Sequence, residues 1–325
     1  MSSAIAGHNR HIDYLSVVLK RQKLAHAYLF YGPEYVGKFT AAKALAKTFV
    51  CLNDGSRMSI ENVCNNCTQC KLVNQYIHSN VIIIDPEHTL TSKKEERKDI
   101  PIDDIRELKR SFSLWAVGDS WRIAIINQAE RMSRDAANAF LKMLEEPGER
   151  TLFILVTHQR DALLPTIISR TQQIRFSLVP DRVLAEFLKH RVPDAVLLRE
   201  IVTYSAGRPG VAVRMLEDAE YREHEQKLLR HCDLLFDRND IPGLFRFSER
   251  VAFNPELRAR AVLRIVERLR GSLLGRDGKN AVSSLQIVSA LKKCSRIAAL
   301  LETTNVNPRL ALDVMFLEAS LCMKV

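Results

Sequence analysis

WRIAIINQAERMSRDAANAFLKMLEEPGERTLFILVTHQRDALLPTIISRTQQIRF, residues 121–176, holds three short apolar runs separated by two helix-forming stretches. The runs at 122–126, 151–157 and 172–176 are rich in β-branched residues and short enough for buried strands. The first intervening stretch opens at Ser133, a residue suited to capping a helix. Asp135 follows in the first turn, where a carboxylate complements the helix dipole. Ala137, Phe140, Leu141 and Leu144 recur at helical spacing, and Pro147 ends the run. The second stretch is expected to be a helix capped by Asp161 and closing at Ser169-Arg170. Strand, helix, strand, helix, strand predicts a parallel sheet with crossover helices.

Two segments of this region, NAFLKMLEEPG at 138–148 and FILVTHQRDALLPTIISRT at 153–171, carry a family resemblance. They resemble the NALLKTLEEPP and L-P-x-T-I-x-S-R-C segments of the bacterial DNA polymerase III clamp-loader subunits, which are of the AAA+ class. The resemblance implies an α/β P-loop AAA+ module with a parallel sheet and flanking helices. It also implies a zinc insert, then a small helical lid domain and an all-α C-terminal collar domain. Which kind of subunit this is depends on the residues that carry chemistry.

Composition narrows the field independently. The chain has 325 residues, 46% of them hydrophobic, enough for a substantial core and two or three domains. With 48 Lys+Arg against 38 Asp+Glu the formal charge is +10, which suits an acidic partner such as nucleic acid or serves solubility alone. No apolar run approaches the ~20 residues that span a bilayer, so no membrane role is expected. The opening residues, MSSAIAGHNRHIDYL, lack the basic start and apolar centre of an export signal. A cytoplasmic location and reduced thiols are therefore expected of the seven cysteines.

Upstream, a short strand at 28–31 runs into Gly32-Pro33-Glu34-Tyr35-Val36-Gly37-Lys38-Phe39-Thr40. The template G-x-x-x-x-G-K-[ST] needs glycines so that backbone amides wrap phosphates, a lysine for the outer phosphates, and a hydroxyl for Mg²⁺. Gly32, Gly37 and Lys38 fit it, and Phe39 does not. Thr40 lies a further ~100° around the helix and cannot simply replace the missing hydroxyl. The alternative is a relic loop that only turns the chain and starts a helix over 38–50.

Cys64, Cys67 and Cys70 form C-x₂-C-x₂-C, with Cys51 upstream as a fourth thiol. Four soft ligands suit tetrahedral Zn²⁺ in a structural site, and an iron–sulfur cluster is the rival. The resemblance implies zinc at these positions, in a module at 51–70. Cys232, Cys294 and Cys322 are isolated in helical patterns. Farther on, 81–84 predicts a strand ending at Asp85, to which the resemblance gives no catalytic duty. Residues 89–99 predict a polar loop, and a helix follows through about Leu114 with Pro101 at its entry.

Active AAA+ ATPases end the strand at 123–126 with two acids, one for the metal and one for the attacking water. This chain has Asn127 and Gln128 there, and Glu130 is out of register. A neutral amide can neither accept water's proton nor offset a dication. Hydrolysis is therefore not expected, nor is ATP binding in the chain's own site, and zinc is the one cofactor expected. Thr157 occupies the family's phosphate-sensing position, and Gly210 the place of its nucleotide-contacting sensor-2 arginine, with Arg208 and Arg214 close by. Ser169 and Arg170 match the Ser-Arg-Cys motif, in which the arginine reaches a neighbouring subunit's ATP, although Thr171 replaces the cysteine. The alternative for Arg170 is a surface arginine paired locally. Glu145 and Glu146 stand at a helix C-terminus, with Lys142 able to pair with Glu146.

Pro180 marks a boundary, beyond which the pattern is helical. The expected domains are 1–178, 179–216 and 217–325. Leu310, Val314, Leu317 and Leu321 form one apolar seam in the last helix, and Arg260, Arg264 and Arg268 share a ridge that meets an acidic partner or stays solvated. The resemblance implies a non-hydrolysing ring member whose partners are the gamma/tau ATPase and delta subunits. Through the complex these would extend to the sliding clamp and primer-template DNA. A gamma/tau-type active ATPase and a free-standing zinc-dependent nucleic-acid binder are the alternatives.

Overall fold

A computed structural model describes residues 5–53, 59–86, 99–114, 120–273, 283–303 and 306–322. The expected polar loop therefore lies outside the described residues except for Asp99. The chain divides into two compact units, 1–213 and 214–325.

In the first unit the chain runs α1 (Asn9–Lys20), β1 (Ala27–Tyr31), α2 (Lys38–Lys47), α3 (Thr68–Asn74), β2 (Val81–Ile84), α4 (Ile102–Leu114) and β3 (Arg122–Ile126). It continues through α5 (Arg134–Glu145), β4 (Thr151–Thr157), α6 (Pro165–Ser169), β5 (Gln172–Arg175), α7 (Asp181–Leu188), α8 (Ala195–Ser205) and α9 (Pro209–Glu217), whose last turn enters the second unit. The five strands form one parallel sheet in the order β2-β3-β4-β1-β5. In register, Leu29 stands beside Leu155 and Gln173, and Ile125 beside Ile83 and Ile154.

Strand alternation divides the core between the two faces of the sheet. Tyr28, Phe30, Ile125 and Ile154 pack on one face with Leu15 of α1 and Leu45 of α2. Leu29, Ala124, Phe153 and Leu155 pack on the other with Leu108 of α4 and Phe140 of α5. This is the parallel α/β sheet with flanking helices expected from the sequence, with the loop after β1 at the carboxyl ends of the strands, where ligands of open parallel sheets bind.

The expected helix from Asp161 to Arg170 is instead a single 3₁₀ turn at Arg160–Ala162 followed by the short α6. Pro165 has no amide hydrogen to extend a helix from upstream, and it forces Leu164 into extended backbone at φ −58°, ψ 133°. Asp161 caps nothing and pairs with Arg160 at 3.0 Å. Ser133 does cap α5, accepting from the Ala136 amide at 3.1 Å.

The second unit is helical: α10 (Ala219–Asp237), α11 (Ile241–Val251), α12 (Pro255–Leu273), α13 (Ser284–Thr303) and α14 (Pro308–Cys322). The arginine ridge is neither solvated nor left for a partner. Arg260 pairs with Glu225, Arg264 with Asp233 at 2.6 Å, and Arg268 with Asp233 and Asp237 at 3.1 and 2.6 Å. These contacts tie α12 to α10, and the acids come from a helix the sequence pattern could not place opposite it. On α14, Ala311, Leu312, Met315 and Phe316 are buried, whereas Leu310, Val314, Leu317 and Leu321 are exposed. Among the described residues, no helix is long and apolar enough to cross a membrane.

Candidate functional site

The loop after β1 opens into a cleft of about 580 Å³. Gly32 has φ +138°, and a Cβ there would sit 2.0 Å from the Phe176 carbonyl oxygen, so only glycine fits. Gly37 precedes α2, and Lys38 opens it, only 6% exposed. Lys38 Nζ donates to the carbonyls of Gly32, at 2.7 Å, and Pro33. Burial lowers its pKa to about 8, against the opposing pull of Glu34 and Glu130.

Glu130 is the residue the sequence reading passed over. Gln128, in left-handed backbone, starts a 3₁₀ turn that carries Glu130 back into the cleft, where its side chain is 4% exposed. Its carboxylate lies 2.5 Å from His158 Nδ1, and Glu34 approaches the same nitrogen at 3.4 Å. Burial works against both charged forms. The ion pair outweighs it, so the Glu130 pKa is lowered and the His158 pKa raised. His158 and Glu130 belong to no spacing motif and meet only because β3 and β4 are neighbours.

The positions read as lost for hydrolysis have other occupations. Phe39 is half-buried and packs with Tyr76, ring centroids 6.3 Å apart, while the Lys43 ammonium lies 4.8 Å from the Phe39 ring centre. Asn127 Nδ2 donates to Asp85 Oδ2 at 3.1 Å. Asp85, given no duty by the sequence, is buried in the cleft wall, and an aspartate at 127 would set two carboxylates face to face there. Gln128 Oε1 accepts from Arg131 at 2.8 Å. Thr157 is buried and accepts from the Gln159 amide.

At the place the sequence reading gave to a sensor-2 arginine, the Gly210 amide donates to the Tyr35 carbonyl at 2.8 Å. A Cβ on Gly210 would lie 3.1 Å from that oxygen, so backbone meets backbone there. Arg208 donates to the Ala206 carbonyl, and Arg214 covers the Tyr221 ring at 4.1 Å.

At the far end of α2 the four cysteines converge. One sulfur from each of Cys51, Cys64, Cys67 and Cys70 lies within 4.8 Å of all the others. The Cys67 amide approaches the Cys64 sulfur at 3.3 Å and the Cys70 amide the Cys67 sulfur at 3.5 Å, the N–H···S contacts that support thiolates. Four sulfurs converging on one point with no carboxylate or imidazole among them fit a structural divalent metal ion. Cys51, thirteen residues ahead of Cys64, is part of the cluster. Cys232 and Cys294 are buried, while Cys322 is only partly so.

Ser169 and Arg170 end α6 at the edge of the first unit and do not line the cleft. Arg170 Nη2 pairs with Glu145 Oε1 at 2.9 Å, both side chains remaining substantially exposed, and Nη1 donates to the Thr166 carbonyl. Ser169 Oγ donates to the same carbonyl, and Thr171 is buried and bonded to Ile168. The acid that forms an ion pair at the end of α5 is thus Glu145 rather than Glu146, and its partner is Arg170 rather than Lys142.

A sequence profile described as "DNA polymerase III, delta subunit" matches residues 7–180. The chain is 30% identical over 220 residues to DNA polymerase III subunit delta' of Bacillus subtilis (strain 168), covering 68% of this chain and 62% of that one. With DNA polymerase III subunit delta' of Pseudomonas aeruginosa it shares 34% over 197 residues, covering 60% and 57%. These matches span less than two thirds of either relative's length. Among solved structures it is similar to a DNA polymerase III gamma subunit-related protein of Thermotoga maritima. That TM-score is 0.49 at 19% identity, covering 96% of this chain and 99% of the other.

Proposed function

Since the chain belongs to the DNA polymerase III delta-subunit family, matched over more than half its length, we propose that it is a delta'-type, non-hydrolysing clamp-loader subunit that lends Arg170 to a neighbouring ATPase. The observation that carries this reading is the internal matching of charge in its own cleft. Lys38 is bonded to its own loop, and Glu130 and Glu34 face His158. An incoming triphosphate would meet Glu34, Asp85 and Glu130 and would have to displace these contacts. The metal-binding hydroxyl and acid are replaced by Phe39 and Asn127, and Gln128 cannot act as a base for water.

Arg170 supports the other half of the reading. A guanidinium stays charged and presents a rigid fork of donors, which suits the spread charge of a transferring phosphoryl group. It stands clear of its own cleft and half-exposed, with Glu145 holding the fork at the rim. An ion pair this exposed is worth little, ~0–1 kcal/mol, so a neighbour's phosphate could outcompete it.

The metal of the cysteine cluster is proposed to be Zn²⁺, held by Cys51, Cys64, Cys67 and Cys70. It would cross-link the insert and take no part in catalysis. We read residues 179–216 as a lid domain and 217–325 as a collar. The exposed Leu310, Val314, Leu317 and Leu321 repeat at four-three-four spacing, which suits a helix of a sibling subunit. The proposed partners are gamma/tau and delta subunits and, through the complex, the sliding clamp and primer-template DNA, in the cytoplasm. Reconstituting the complex with Arg170→Ala is expected to preserve folding and assembly while lowering DNA-stimulated ATPase and clamp loading. Arg170→Lys should rescue poorly. Unchanged rates with Arg170→Ala would rule out the trans-acting role.

A further inference from the structure

Lys47 closes α2 next to the cysteine cluster. A lysine in the last turn of a helix ordinarily lies in water and complements the dipole. This one is only 5% exposed. Its ammonium makes one hydrogen bond, to Asn65 Oδ1 at 2.8 Å, and among the described residues no carboxylate pairs with it. Asn65 stands between Cys64 and Cys67 in left-handed backbone and donates in turn to the Val63 carbonyl at 3.3 Å. Asn65 lies in the turn between two of the converging cysteines, so the buried ammonium is held against the sulfur cluster. One turn earlier, Lys43 adds like charge and is itself covered by the Phe39 and Tyr76 rings.

A buried cation needs a counter-charge, and here the sulfurs supply it only as thiolates. A divalent ion on four thiolates leaves a net charge of about −2, which needs an opposing charge in a partly buried site. We propose that Lys47 is the built-in counter-charge of the metal–tetrathiolate module, a positioning residue that holds the Cys64–Cys67 turn through Asn65 and offsets the excess negative charge. The inference rests on the metal reading above and adds a determinant outside the ligand set. It also ties the metal module to the helix that starts at the phosphate loop.

The test is zinc retention by the full chain against a chromogenic chelator, with metal-free stability measured alongside. Lys47→Met is expected to lose Zn²⁺ about 10–100-fold more readily, the range for groups that support metal ligands. Lys47→Arg should stay close to the parent. Asn65→Ala keeps the charge and should lose much less than Lys47→Met. In the metal-free form Lys47→Met should be no less stable than the parent, since the variant removes a buried charge whose counter-charge has gone. Equal retention by Lys47→Met and the parent would overturn the proposal. So would a stability loss as large without metal as with it. A parent chain that takes up no zinc would instead overturn the metal reading itself.

Discussion

Each end of α2 buries a lysine, and the two are satisfied differently. Lys38 at the first turn lies among carbonyls of its own loop, with Glu34 and Glu130 supplying negative charge and His158 balancing the acids in turn. Lys47 at the last turn has one amide oxygen, on the turn between Cys64 and Cys67 of the sulfur cluster. The first set of charges closes on itself; the second closes only when the thiols ionise, which a metal ion enforces. On the proposed reading, a cleft can keep the glycines and lysine of a phosphate loop and still have no electrostatic demand for a ligand. On the same reading the cysteine cluster, with less enclosure, does have that demand.

The most severe break of this contrast is at the cysteine end. Cys70→Ser is expected to empty the site and unfold the insert while the parallel sheet persists, seen as lost zinc by elemental analysis and lost protease resistance around 51–76. Structural zinc contributes ~10–16 kcal/mol to the folding of small peptides, so the insert should not survive its removal. Iron in the purified chain, or full zinc occupancy in Cys70→Ser, would contradict the assignment.

A smaller effect is expected at the closed end. With its pKa raised above 6.5, His158 contributes stability that is complete below 6.5 and lost as pH rises through its folded-state value. With its pKa lowered below 4.5, Glu130 contributes stability present above 4.5 and lost as pH falls through its folded-state value. The pair is therefore strongest between 4.5 and 6.5. The gain in stability between urea melts at about pH 8.5 and about pH 5.5 should be larger in the parent than in His158→Gln. Equal differences would mean that the pair is not formed in solution.

The smallest expected effect is none. Phe39→Thr combined with Asn127→Asp restores a hydroxyl and an acid but leaves Glu130 in the cleft and Gln128 in place of the base. Steady Mg²⁺-dependent ATP turnover by that double variant would show that the closed charges are no barrier.

Periodicity and spacing made the sheet legible, because apolar runs of strand length between capped helices admit few arrangements. The glycine loop after β1 and the converging cysteines were legible because both depend on local spacing. What stayed hidden depended on contacts across strands and helices. Glu130 and His158 stand on separate strand ends, Asp85 reaches Asn127 from the edge strand, and Asp233 and Asp237 oppose the α12 arginines from α10. The α6 region misled because Asp161 looks like a helix cap, whereas Pro165 divides the stretch. Lys47 stood inside the helix expected over 38–50, and nothing in that pattern signalled that the helix ends there with the lysine buried.

The contrast between the two ends of α2 is open to one measurement, native mass spectrometry of the purified chain in the presence of Mg²⁺ and ATP. The account predicts the mass of the chain plus a single zinc ion, with no nucleotide adduct. A nucleotide adduct that disappears with Lys38→Ala, or a chain that carries no metal, would contradict it.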